Sequence, residues 1–194
     1  MNEKINKKVK SLAPIDVEID IKNERIHSET DIHGKITYVN DYFCEISAFK
    51  NSELVGSPHN ILRHPCMPSI IFKLLWKSIL KGREFSAIIK NKRKDGRYYW
   101  VYSKTVPLYD KENKLRGFRS LRHPISAKHV KLFSDIYQKL LDSETNKGER
   151  ETEILLDFKM DKHGFEDYSS FVENMWEKKL EGSTKSIFQK LWGK

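Results

Sequence analysis

Apolar positions recur with two different periods along the chain, and the change of period marks out its organisation. Ile36-Thr-Tyr-Val-Asn40 alternates like a strand after a turn at His33-Gly34, with Arg25–Thr30 ahead of it as a partner. Two longer β-prone runs, Glu84–Arg93 and Arg97–Leu108, flank Asp95-Gly96, a two-residue hairpin signal. A further run, Leu115–Arg122, follows the polar turn Asp110–Lys114. The residues between the first strand pair and this meander have helical spacing. Phe43 and Ile46 mark one short helix, and Asn51-Ser-Glu-Leu opens another with Asn51 or Ser52 as its cap. Ser69–Lys81 places Ile70, Ile71, Leu74, Leu75 and Ile79 on one face, with Ser69 to cap it and Gly82 to end it. Five antiparallel strands interrupted by a helical crossover predict an α+β fold, one sheet with short helices on one face.

Beyond the last strand the period stays helical. Val130, Phe133, Tyr137, Leu140 and Leu141 stripe a helix that begins near Ser126. Residues 143–152 read as a polar linker; Phe165, Tyr168, Phe171, Val172, Met175 and Trp176 mark the next helix, and Ile187, Phe188, Leu191 and Trp192 a short last one. Packing on the sheet domain or on one another is expected of them in preference to a membrane anchor, because one short amphipathic turn binds lipid weakly. At the other end Ile15, Val17, Ile19 and Ile21 alternate with Asp16, Glu18 and Asp20, an added strand or a dimer-exchange cap. The expected division is an N-terminal cap (1–23), a central domain (24–124), a helix (125–142), and a linker with a helical extension (143–194).

Composition narrows the classes. The chain of 194 residues suits one domain with an extension. No apolar run approaches the ~20 residues that span a bilayer, and the polar N-terminus lacks a signal peptide's apolar stretch. Cys44 and Cys66 form no metal-type pair, so a reduced cytoplasmic protein is expected. The net charge of +9 lies in residues 24–124, with 19 basic and 10 acidic side chains, while the flanks cancel. A basic centre favours an anionic ligand there or a solvated basic face. Lys90–Arg97 has no recognition helix beside it, which argues against nucleic acid. No nucleophile–base or metal constellation appears, so an enzyme is not expected.

One segment concentrates chemistry. Gly56–Pro68 holds three of the six prolines (Pro58, Pro65, Pro68) with two histidines, an asparagine and an arginine. Proline fixes its own φ and keeps the preceding residue out of the helical region, so the segment follows a rigid, broken path. It reads as a clamp for something polar or as a Pro-rich surface connection. On the strands, alternation puts Asn91 with Ala87 and Ile89, and Asn40 with Ile36 and Tyr38. If those faces look inward, each amide needs a partner, in the backbone or in a ligand.

Gly34-x-Ile-Thr-Tyr-Val-Asn40-Asp-x-Phe, Ser47-x-Phe, Glu53-Leu-x-Gly, Pro58-His-Asn-x-x-Arg-His-Pro-x-Met-Pro68, Leu75-Trp76 and Ile89-Lys-Asn-Lys-Arg-Lys-x-Gly-x-x-Tyr-Trp-Val101 together resemble a PAS domain. More narrowly, they are similar to the PAS domains of the Aer-like aerotaxis and energy-taxis receptors, over about residues 25–123. The resemblance implies a PAS fold and non-covalent FAD, whose redox state is reported to a chemotaxis-type transducer. Its flavin-contacting positions fall on Asn40, Arg63, His64 and Asn91. Cys66 stands where the family has Asp, and Phe85 and Ala87 where it tends to have Trp and Gly, so Cys66 and Phe85 join the candidate site as altered positions. Asparagine pairs with the pyrimidine edge of a flavin, and Arg or His answers its anionic regions. The light sensors that trap flavin on a cysteine have that thiol in register with His59. Haem, which some PAS domains bind, is the other cofactor; a homodimer and a separate membrane-bound transducer are the implied partners. The competing class is a cofactor-free PAS adaptor that only associates with other proteins.

Overall fold

Each expected strand forms. The computed structural model describes residues 18–22, 24–177 and 184–193. Its strands are β1 (Ile26–Asp31), β2 (Ile36–Val39), β3 (Phe85–Lys92), β4 (Tyr98–Tyr109) and β5 (Leu115–Pro124). They make one antiparallel sheet in the order β2-β1-β5-β4-β3. The Asp95-Gly96 hairpin is longer than the two residues expected. The Arg93 N–H bonds to the Arg97 carbonyl at 2.8 Å, which leaves three residues in the loop, and Gly96 takes the left-handed position at φ 89°. The Asp95 carboxylate locks this turn by accepting from the Arg97 N–H and from both flanking guanidiniums.

Between β2 and β3, α1 (Asp41–Ser47), α2 (Asn51–Leu54), a 3-10 turn (His59–Leu62) and α3 (Ser69–Ile79) cover one face of the sheet. Two caps differ from expectation. Lys50, not Asn51 or Ser52, is the cap of α2, and its N–H donates to Glu53. Ser69 lies inside α3; the free N–H groups of Ser69 and Ile70 donate instead to the Glu144 carboxylate, at 3.1 and 2.7 Å. A carboxylate there also meets the positive end of the helix dipole. Local sequence holds no sign of a cap that arrives from so far along the chain.

The opposite face is covered too. The C-terminal residues fold into α4 (Ala127–Lys147), α5 (Glu149–Lys162), α6 (Tyr168–Glu177) and α7 (Thr184–Trp192). Phe133, Tyr137 and Leu140 are buried, Trp100 stacks on Tyr137, and Tyr102 stacks on Trp176 at 4.5 Å and 5°. With both faces covered, Phe85–Ile88 and Tyr99–Ser103 are buried without alternation. The stretch 143–152, expected as a polar linker, is helical on both sides of Gly148. Its Ser143 and Thr152 are buried and hydrogen-bonded to each other at 2.9 Å. Polar residues that face each other across a helix–helix contact leave no mark in the hydrophobic period.

This helical layer, together with Met67 just ahead of α3, also seals the free edge of β3. The Ser86 N–H donates to Ser169 Oγ at 2.8 Å, the Tyr137 hydroxyl donates to the Ile88 carbonyl, and the Lys90 N–H reaches Met67 Sδ at 3.2 Å. At the start of β4 the Ile19 N–H bonds to the Tyr98 carbonyl, so the described part of the alternating N-terminal segment lies against that strand; Ile15 and Val17 fall outside the described residues. Tyr137→Phe should therefore cost about 1–3 kcal/mol, the penalty for stripping a buried carbonyl and the Tyr168 hydroxyl of a shared partner. Thermal melts of wild type and variant measure this, and the variant should melt several degrees lower.

Candidate functional site

The proline-rich segment joins the two edges of the sheet. At the β2 edge the Ile36 N–H bonds to the Ser57 carbonyl at 2.9 Å and the His59 N–H to the Gly34 carbonyl at 2.9 Å. At the β3 edge Arg63 forms an antiparallel bridge with Asn91. Between the two anchors the strap makes the single 3-10 turn His59–Leu62, entered from Pro58 at φ −66°. Beneath it lies a cavity of about 280 Å³, walled by Ile71 and Leu75 of α3 and by Ala87, Ile89 and Phe118 of the sheet. At its mouth Trp76 packs on Gly34, where a Cβ would stand 2.9 Å from the ring; φ at Gly34 is 76°, so glycine serves the turn and the close approach together.

Three of the six expected site residues line this cavity: Arg63, Phe85 and Asn91. Strand alternation carries Asn91 inward beside Ala87 and Ile89. Its Nδ2 is enclosed with no hydrogen-bond partner; the Tyr99 hydroxyl, which approaches it, is likewise unpartnered. Burial pushes the Tyr99 phenol up to about 12, so it is a neutral donor at every ordinary pH. Arg63 sits exposed at the rim, its guanidinium 4.6 Å from the Phe72 ring and donating to the Met67 carbonyl.

The other three stand elsewhere. Asn40 is wholly occupied by backbone: its Oδ1 accepts from the His27 and Phe43 N–H groups, and its Nδ2 donates to the Arg25 carbonyl. It caps α1 and ties that helix to the start of β1. His64 is buried beside Tyr98, 5.7 Å between ring centroids, and its Nδ1 accepts from the Cys66 N–H. Cys66 is exposed on the strap. None of these three is in the cavity wall.

Two residues outside the expected set complete the site. Arg122 on β5 is 4% exposed and lines the cavity. It donates to Ser28 Oγ at 3.0 Å and to His59 Nε2 at 2.9 Å, and lies over the Phe43 ring. Arginine has no acceptor atom, so His59 Nε2 must offer its lone pair and the ring is neutral with its proton on Nδ1. Burial, then the Arg122 charge, lower the His59 pKa to about 3, and burial lowers Arg122 itself to about 10. Phe118, Ser120 and Arg122 share one strand face, so a period-two reading of β5 finds Arg122; a cation in an inward position is the signal.

With this architecture in view, residues 36–122 match the family described as the PAS fold. The chain is 38% identical over 120 residues to the aerotaxis receptor of Escherichia coli (strain K12), covering 62% of this chain and 24% of the receptor. It is 26% identical over 101 residues to the bacterioopsin transcriptional activator of Halobacterium salinarum (52% and 15% covered) and 27% over 88 residues to the biofilm dispersion protein BdlA of Pseudomonas aeruginosa (45% and 21%). The chain thus spans a quarter or less of the length of these relatives. Among solved structures, a light-oxygen-voltage domain whose mechanism was studied with a flavin analogue aligns with TM-score 0.51 at 21% identity, covering 59% of this chain and 86% of that one. The light state of the Aureochrome1 LOV domain aligns with TM-score 0.50 at 18% identity, covering 57% and 87%. Residues 36–122 have the PAS fold, and the chain is related in sequence to an aerotaxis receptor. Among the described residues no helix is long and apolar enough to cross a membrane, and no group of three or more His, Cys, Asp or Glu side chains could hold a metal.

The two asparagines separate in ligand-free protein. Asn40→Ala should cost about 1–2 kcal/mol, the loss of a cap and of two strand contacts, whereas Asn91→Ala should stay within about 1 kcal/mol because its Nδ2 leaves no partner behind. Urea unfolding of both variants measures the difference. The histidines set a pH dependence. Folded His59 stays neutral down to about pH 3, while the unfolded chain takes its proton near the ordinary value of 6.5. Above that value neither state binds the proton and stability is unaffected; below it the unfolded state gains, so stability falls as pH drops toward 3. His27, His123 and His129, also lowered chiefly by burial, act in the same direction. Each such group contributes up to about 1.4 kcal/mol per pH unit, and His59→Asn should flatten the slope measured between about pH 6.5 and 5, where carboxylates are still ionised.

Proposed function

We propose that this protein is a redox or energy-state sensor that binds FAD beneath the strap and relays its state through the C-terminal helices to a signalling partner of chemotaxis type. The observation that carries this reading is the cavity itself: apolar walls, an enclosed Asn91 amide with an unused donor, and a buried cation in Arg122. That combination suits a flat aromatic ring with carbonyl acceptors at its edges. At about 280 Å³ the cavity is at the small end of ligand pockets, roughly 300–1,000 Å³, so it would take a ring system, and Arg63 and Asn60 would hold the rest of the dinucleotide.

The residues present fit the group. Asn91 would hold the pyrimidine edge, Phe85 and Ile89 would pack on the ring, and Arg63 would answer a phosphate at the rim. FAD, when bound, supplies a charge and proton inventory that changes with its oxidation state. Haem fits less well, because His59 Nε2 is held by Arg122 and His64 Nδ1 by the Cys66 N–H. Cys66, exposed and outside the wall, does not disturb the pocket where the related receptors carry Asp. His59 gives the cavity an imidazole in place of the thiol on which light sensors of this fold trap their flavin.

The relay follows from β3. Its inner face carries Ala87, Ile89 and Asn91 into the cavity, and its free edge is held by Ser169 of α6 and Tyr137 of α4. A shift of Asn91 toward a ligand pulls on the strand that these helices grip. On α5, Ile154 and Phe158 are each 59% exposed one turn apart, an apolar pair for a partner to cover. The alternative, a cofactor-free PAS adaptor, is separated by an absorption spectrum of freshly purified protein. The expected result is a yellow protein with flavin bands that releases FAD on denaturation, and an Asn91→Ala variant that is colourless or loosely loaded with nearly native circular dichroism. A colourless wild type that gains no flavin when reconstituted with FAD would leave the adaptor reading.

A further inference from the structure

The other buried arginine among the described residues has an acid. Arg93 pairs with Asp95 at 3.0 Å, and Arg119, more exposed, pairs with Glu29 at 2.8 Å. Arg122 is buried more deeply than either, and among the described residues no carboxylate pairs with it. Its two hydrogen-bond partners, Ser28 and His59, are neutral. They engage two of its five N–H groups, and the guanidinium is held on the cavity wall. A buried charge without a counter-ion destabilises a fold unless something else repays the lost hydration. Arg122 is also dispensable to its neighbours: Ser28 Oγ lies 3.1 Å from His59 Nε2, so in its absence the hydroxyl can donate to the imidazole and neither is stranded.

We propose that Arg122, presented by Ser28 and His59, is the charge-reading residue of the cavity. It receives a negatively charged or strongly accepting group of the ligand and binds that group more tightly as its negative charge grows. His59 makes the corner selective. Locked as a neutral acceptor, it holds the guanidinium in place without adding a charge of its own and without competing for the ligand's acceptor. The ligand class is an aromatic or fused heterocycle with an anionic or carbonyl edge. In the flavin reading, on which this part rests, Arg122 binds reduced FAD in preference to oxidised FAD, since reduction adds negative charge to the ring.

The test uses the full chain and the variants Arg122→Gln, Arg122→Met and Arg122→Lys. Ligand-free Arg122→Gln or Arg122→Met should melt at or above the wild-type temperature. Both should lose affinity for FAD, and Arg122→Gln should lose about tenfold more for dithionite-reduced than for oxidised FAD, the worth of one charge-assisted hydrogen bond. For a two-electron couple that corresponds to a midpoint potential lower by about 30 mV; Arg122→Lys should retain part of the preference. Lower melting temperatures with unchanged FAD affinity would make Arg122 a structural residue and overturn the inference. Should the wild type take up no FAD, the flavin reading fails separately, and millimolar benzoate, an aromatic monoanion, becomes the probe. A rise in the wild-type melting temperature that Arg122→Gln abolishes supports the anion corner, and no rise overturns it.

Discussion

The free edge of β3 is the constraint around which the molecule is arranged. An edge strand presents unpaired N–H and C=O groups, and here they belong to the strand that also carries Asn91 into the cavity. The protein satisfies them with side chains from three directions: Ser169 from α6, Tyr137 from α4 and Met67 from the end of the strap. A strand closed in this way resists pairing with other chains. It is also mechanically joined to the helical layer, in a way that a strand bonded only within its sheet would not be.

The two layers on the sheet divide the work. On the inner face, α1 to α3 and the strap enclose a cavity; on the outer face, α4 to α6 supply aromatic packing against Trp100 and Tyr102. They meet around the β3 edge, where Glu144 caps α3 and Lys73 and Lys77 pair with Glu149 and Glu153. Surface ion pairs of this kind are worth little singly. The cap joins the layers more firmly, because without it the first N–H groups of α3 would lack a partner. The inner layer is therefore bonded to the outer one at α3 as well as at β3.

The charge distribution sharpens in the folded molecule. The basic excess of residues 24–124 is largely a matter of solvated lysines and of arginines with acidic partners, as the turn around Asp95 illustrates. Two arginines line the cavity, Arg63 exposed at the rim and Arg122 buried on the wall with neutral company. A bulk count of charge weighs every Lys of the surface equally with a buried Arg that has no acidic partner, and so cannot separate the two.

The strands and the inner helices were legible from the chain alone, because alternation and the 3.6-residue period are local properties, and the same parity put Asn91 on one face with Ala87 and Ile89 without saying which face was buried. The chain also carried the PAS signature, whose Pro-His-Asn to Met-Pro run is the strap. Tertiary structure alone decided the rest. Asn40 and Asn91 look alike in sequence, yet Asn40 finds backbone on three sides and Asn91 finds none, a difference set by what stands opposite. Glu144 as a cap, Ser143 with Thr152 as a buried pair, and the helical cover on the outer face all depend on contacts between residues far apart in the chain, which no local period encodes. Arg122 lay between the two cases. A period-two reading of β5 puts it on one face with Phe118 and Ser120, but only the folded surroundings, Ser28 and His59 with no acid beside them, show that its charge is buried among neutral groups.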